Sequence, residues 1–166
     1  MLQSGIYPTD PPYLLAGTAY GGIKYGFGLN AEQPLGDRGG VFGRVSWNDG
    51  QTATWAFTEI DYSFTLGAYI GGPRWHRQHD AVGIALASNG ISSEHAAFLN
   101  AGGAGFMLVD GHLPTYKSEN TLEVFYKARL AHTLFLTADY QLVQHPGYND
   151  GRGPVHLLAL RTHVDF

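Results

Sequence analysis

Apolar and polar residues alternate with a period of two along much of the chain, as they do in a strand whose two faces meet different surroundings. Seven such segments are predicted, at about residues 24–32, 41–47, 61–70, 80–88, 121–130, 134–143 and 155–166. In the last, His156, Leu158, Leu160, Thr162, Val164 and Phe166 take one face, and Val155, Leu157, Ala159, Arg161, His163 and Asp165 take the other. Leu122, Val124, Tyr126, Ala128 and Leu130 likewise oppose Glu123, Phe125, Lys127 and Arg129, and Tyr62, Phe64, Leu66, Ala68 and Ile70 oppose Asp61, Ser63 and Thr65. One face is apolar and the other charged.

Consecutive antiparallel strands place their links at alternate ends of a sheet. The links at 33–40, 71–79 and 131–133 are the shorter set, and those at 48–60, 89–120 and 144–154 are the longer. One rim therefore carries turns and the other carries loops. Within the longest loop, residues 93–99 are expected to form a short helix closed by Gly102 and Gly103. The fold class is all-β, an antiparallel up-and-down meander of about seven to eight strands, with residues 1–22 left unassigned.

Alternation alone fits a soluble barrel with its apolar face inward, or a membrane barrel with that face toward lipid. Three features favour lipid. The strands are about ten residues long, with turns on one rim and loops on the other, as a transmembrane barrel requires. The polar face carries Lys24, Glu32, Arg44, Asp61, Glu123, Lys127, Arg129, Asp139, Arg161 and Asp165, interspersed with Gly26, Gly28, Gly67 and Gly83, a sparser charge than a soluble surface ordinarily shows. The chain also stops on an apolar-face aromatic, Phe166, resembling the terminal signal of bacterial outer-membrane proteins.

Composition narrows the choices further. The 166 residues suit one domain, 1–166. Charged residues are 14% of the chain against roughly 25% in an average domain, while 23 glycines and 10 tyrosines suit strands and turns. A net charge of −4 without any basic block argues against nucleic acid as a partner. The lack of cysteine removes disulfides, thiol nucleophiles and cysteine metal sites. No apolar run approaches the roughly 20 residues of a membrane-spanning helix. Residues 1–12 lack the basic and apolar regions of a secretory signal, so the chain is expected to stay inside or to be a mature or partial form of an exported protein.

The stretch D-Y-Q-L-V-Q-H-P-G-Y-N-D-G-R-G-P-V from Asp139 to Val155, closing in L-A-L-R-T-H-V-D-F from Leu158 to Phe166, resembles the C-terminus of OprB-family carbohydrate-selective porins. Three upstream blocks are similar to further family segments, in the same order: V-F-G-R-V-S-W-N-D-G from Val41, H-D-A-V-G-I-A from His79 and E-N-T-L-E-V-F-Y from Glu119. The resemblance implies a bacterial outer-membrane barrel passing small solutes by diffusion, carbohydrates first among them. Some OprB-like relatives are regarded as manganese porins. Family barrels have about sixteen strands and more than twice this length. The chain is thus expected to represent the C-terminal half of such a barrel, with the N-terminal half as its partner. A strand within residues 1–22 would instead complete an eight-stranded barrel, filled by its own side chains. The remaining alternative is a soluble or structural barrel without transport activity.

Pore selectivity comes from the signs and positions of lumen groups, so the charged face holds the candidates. They are Lys24, Arg44, Asp61, Glu123, Lys127, Arg129, Asp139, Gln141 and Arg161. Five cations (Lys24, Arg44, Lys127, Arg129, Arg161) stand against five anions (Glu32, Asp61, Glu123, Asp139, Asp165), a balance suited to neutral, hydroxyl-rich solutes. The structural alternative for the same residues is a ladder of cross-strand ion pairs. The densest histidine cluster, His76 and His79 beside Asp80, is poor material for an oxygen-preferring metal and fits an interfacial turn with Trp75 as aromatic anchor. No G-x-S-x-G elbow, H-E-x-x-H pair or phosphate loop occurs, so neither an enzyme nor a cofactor is expected.

Overall fold

The computed structural model describes residues 23–51, 58–105, 107–108 and 112–166. Seven strands run β1 (Gly26–Pro34), β2 (Gly39–Asn48), β3 (Tyr62–Gly71), β4 (Ala81–Gly90), β5 (Glu119–Arg129), β6 (Leu134–Gln144) and β7 (Val155–Val164), with helix α1 (Ser93–Asn100) between β4 and β5. Each pairs antiparallel with its neighbours in chain order. Period-two alternation located every one of them to within two residues at either end. At 9 to 11 residues apiece, the strands have the length that crosses a bilayer when tilted. No helix among the described residues is long and apolar enough to do so.

Register assigns the faces, because directly paired residues project to the same side. One row runs Leu66, Leu86, Leu122, Leu142 across β3 to β6, and the next Ala68, Ile84, Val124, Tyr140, Leu158 across β3 to β7. The opposite face carries the row Glu32, Phe42, Gly67, Ala85, Glu123, Gln141, Leu157. The apolar face is strongly exposed: Phe64 at 51%, Leu86 at 53% and Leu158 at 85%. Burial cannot come from within the sheet, since all seven strands lie in one layer.

The sheet is not closed among the described residues, where β1 and β7 form its two edges. Residues 1–22, where a strand would complete an eight-stranded barrel, lie outside them. The turn rim is tight: a 3-10 turn at Gly36–Arg38, another at Gly72–Trp75, and a hairpin in which Leu130 N–H donates to Leu134 O at 2.9 Å. The loop rim is packed. Ile91, Leu99, Leu113 and Tyr148, all in loops or α1, form the buried apolar cluster, with Ala96, Phe98 and Leu108 against it.

Candidate functional site: the polar wall and its loop cap

On the polar wall the cross-strand register brings several charged side chains into small groups. Arg161 on β7 approaches Asp139 on β6 at 3.9 Å, and Asp139 itself is buried. Gln141 donates to Glu123 at 3.3 Å across β5 and β6. Lys127 lies 4.4 Å from the centre of the Phe135 ring, and the Arg129 guanidinium lies 5.9 Å from the same ring, within reach of its negative face. On β2, Arg44 donates from Nε to Asn30 at 3.1 Å, meets Glu32 at 3.9 Å and lies 5.4 Å above the Phe42 ring. Cations thus rest beside aromatic rings or carboxylates, with Arg161 and Arg44 still largely exposed.

Two of the candidate residues, Lys24 and Asp61, lie outside the strands, and Arg129, at the end of β5, is engaged by its turn. Arg129 spends its guanidinium on its own hairpin, donating to Ala131 O at 3.2 Å and His132 O at 2.7 Å. Lys24 precedes β1 and contributes its charge to Asp61. Asp61 precedes β3 and is buried in the loop cap, where it accepts from Ser92 N–H at 2.8 Å and from His95 Nδ1 at 2.9 Å. Alternation had carried it onto the polar face, but the backbone leaves strand geometry one residue earlier and its carboxylate is captured by the start of α1.

The cap is built on His95, which lies between Asp61 and, at 3.8 Å from Nε2, Glu59. Glu59 accepts from the Met107 and Leu108 amides at 2.9 and 2.7 Å, and its backbone carbonyl accepts from the Tyr148 hydroxyl at 2.7 Å. Ser92 caps α1 by accepting from His95 N–H at 3.0 Å and donates to Gly50 O at 3.2 Å. Gly50, at φ +60° and with Ser92 where a Cβ would stand, is one position where only glycine fits. All three long loops are therefore tied together. Burial by itself would lower the His95 pKa, but the hydrogen bond to Asp61 and the nearby Glu59 carboxylate outweigh it and hold it up at about 9. Burial likewise works to raise both carboxylates, and the nearby His95, hydrogen-bonded to Asp61, together with bonds from backbone amides brings them below their ordinary values. The result is an imidazole held between two carboxylates, its Nδ1 bonded to Asp61 and its Nε2 facing Glu59.

At the opposite rim Asp80 joins two turns. It accepts from Arg77 Nε at 2.8 Å, Tyr126 hydroxyl at 2.6 Å and Arg129 N–H at 3.0 Å. Burial opposes ionisation there, yet these donors bring its pKa down to about 2. Trp75 donates from Nε1 to the Tyr126 hydroxyl at 3.1 Å. Asp80 is therefore occupied as a turn clamp, and among the described residues no group of His, Asp and Glu side chains is arranged to hold a metal ion.

Sequence reasoning missed Glu59, His95 and the aromatic rings of the wall. His95 fell within the expected helix, but nothing in a linear reading brings it to Glu59 and Asp61, more than thirty positions upstream. For the rings a signal existed: Gly67 and Gly83 stand on the polar face, and their register partners are Phe42 and Phe125.

Comparison with known proteins agrees with this architecture. Porin AaxA of Chlamydia pneumoniae is 26% identical over 139 residues, covering 84% of this chain and 28% of that protein. The high-pH structure of Pseudomonas putida OprB is similar with a TM-score of 0.70 at 18% identity, covering 86% of this chain and 36% of that one, a likeness of fold. The chain spans well under half the length of either. The family described as "Carbohydrate-selective porin, OprB family" matches residues 11–166, and the chain belongs to that family.

Proposed function

We propose that this chain forms part of the wall of an outer-membrane diffusion channel for small carbohydrates, with its polar face lining the solute path and its apolar face against lipid. One observation carries the reading: a seven-strand meander of bilayer-crossing length divides into an exposed apolar face and a polar face whose charges are balanced in sign. Local pairing of Arg44 with Glu32 and of Arg161 with Asp139 leaves hydrogen-bonding groups without a strong field of either sign, which suits neutral solutes over ions. Edge strands in lipid need partners for their N–H and C=O groups. β1 and β7 would take theirs from further strands of the same barrel, as the greater length of the relatives supports.

The test is solute flux through proteoliposomes containing the closed barrel of which this wall is part. Neutral sugars should permeate, and Arg161→Ala should change sugar flux more than the apolar-face control Leu158→Ala, because only groups on the solute path meet the solute. Manganese flux exceeding sugar flux, or equal effects of the two variants, would overturn the reading. Sidedness is checked separately with single cysteines. Those at Lys127 and Arg161 should react with a water-soluble maleimide, and those at Leu122 and Leu158 should be protected by the bilayer.

A further inference from the structure

The polar wall carries a repeated device. Phe42 pairs directly with Gly67, Tyr69 with Gly40, and Phe125 with Gly83. In each case the ring occupies the space a Cβ on the glycine would fill: the nearest ring atoms would stand 2.4, 2.8 and 2.3 Å from it. Real Cβ contacts are not that close, so glycine lets each ring settle onto the neighbouring strand's backbone instead of standing into the lumen. Tyr69 also pairs with Gly83, which makes one row Gly40, Tyr69, Gly83, Phe125 of alternating glycine and aromatic across four strands.

Between these rings lies a recess of about 330 Å³, within the size range of small-molecule sites. Phe42 and Arg44 of β2 stand on one side and Glu123 and Phe125 of β5 on the other. Thr65, Ala85, Ala87 and Thr121 supply small side chains between them. Three interstrand steps separate the β2 and β5 backbones by about 14 Å, which leaves width for a single six-membered ring and little more.

We propose that this recess is a binding station for one pyranose ring, seated with a C–H face on Phe125 and its hydroxyls between Arg44 and Glu123. The proposal rests on the reading that the polar face lines a carbohydrate path. The chemistry of the lining selects the occupant. A pyranose has an apolar C–H face for an aromatic ring and an equatorial rim of hydroxyls, which are donors and acceptors at once. Arg44 offers only donors and Glu123, when ionised, only acceptors, so the two address opposite capacities of the same hydroxyl rim. Arg44 is held for this work by Asn30 and Glu32 and by the Phe42 ring beneath it, which reduces the ordering cost on binding. A phosphorylated or carboxylated sugar would bring a negative charge to a site where Arg44 is already met by Glu32 and Glu123 stands opposite, and gains nothing by it.

Saturation-transfer NMR on the native barrel in detergent tests this with methyl β-D-glucopyranoside as the probe and D-sorbitol as an open-chain control. Saturable transfer is expected to the glucoside, strongest at the protons of one ring face, and not to sorbitol. Phe125→Leu keeps apolar bulk and the fold but removes the ring, and should weaken glucoside binding about tenfold. Arg44→Lys keeps the charge without the planar fork and should weaken it several-fold, whereas Leu158→Ala should bind as the parent does. Equal transfer to glucoside and sorbitol, or unchanged binding in Phe125→Leu with native strand content, overturns the proposal. The proteoliposome flux is a separate readout. Flux that persists when Phe125→Leu binds normally sinks the station and leaves the transport reading standing, and binding without flux does the reverse.

Discussion

The sheet and the loop cap solve the problem of burial in opposite ways. No strand contributes a buried apolar side chain, and the exposed face holds large residues such as Leu158 and Leu160. The cap encloses Ile91, Leu99, Leu113 and Tyr148 and buries the charged trio of Glu59, His95 and Asp61 beside them. The wall is incomplete without a surrounding medium, and backbone hydrogen bonds along seven strands hold it. The cap carries its own core and its own polar network. A charged trio out of water is stabilising only while every member keeps its partners, so the cap should fail locally and sharply where the wall would not.

The largest effect expected follows from removing the central partner. His95→Ala leaves Glu59 and Asp61 buried without their cation, a loss of about 3–5 kcal/mol in comparable buried pairs. Hydrogen exchange should show the amides of α1 and of Leu108 losing protection while those of β5 to β7 keep theirs. Equal loss in the strands would show that cap and wall form one cooperative unit.

Acidity should sharpen the same division. His95 has its pKa raised from 6.5 to about 9, so its contribution to cap stability is full below 6.5 and is lost as pH rises through about 9. Glu59 and Asp61 have theirs lowered, so their contribution is present above their ordinary values of 4.5 and 3.8 and is lost as pH falls below them. Cap protection is expected to be greatest between those limits, and the wall, whose backbone ladder does not titrate, should be level across them. Exchange measured against pH in the parent and in His95→Gln checks this: the alkaline step should vanish in the variant.

The wall was legible because its two determinants are local. A residue's face follows from its parity, and a strand's end from where alternation stops, so segments such as 134–143 came out within one residue of β6. The cap was not, because its determinants are distant in sequence: Tyr148 reaches Glu59 across 89 positions. Asp61 marks the boundary between the two regimes. Its parity put it with Ser63 and Thr65 on the polar face, and the folded chain gives it to Ser92 and His95 instead. Arg129 obeys parity and is nonetheless drawn into its turn, where its guanidinium donates to the carbonyls of Ala131 and His132.

A smaller effect is expected at the helix start. Ser92→Ala removes the cap to His95 N–H and the bond to Gly50 O, at a cost of about 1 kcal/mol. Thr, which keeps the hydroxyl, should restore most of it. Exchange at the first turn of α1 reads the loss, and an effect as large as that of His95→Ala would mean that capping, rather than the buried charges, holds the loops together.

The smallest effect belongs to the ion pair that resembles the cap's trio most closely on paper. Lys117 meets Asp150 at 2.9 Å, the same separation as His95 Nδ1 from Asp61, but both side chains are about half exposed. Water already solvates the two charges, so contact returns little beyond what solvent gave, and ordering two long side chains offsets that. The backbone bond from Lys117 N–H to Tyr148 O, at 2.8 Å, joins the same two loops and survives truncation of the side chain. Lys117→Ala should therefore leave cap protection unchanged at both low and high salt. A clear loss that salt abolishes in the parent would show that exposed charge, and not burial, ties the second loop to the third, and would remove the physical ground on which the cap has been set apart from the wall.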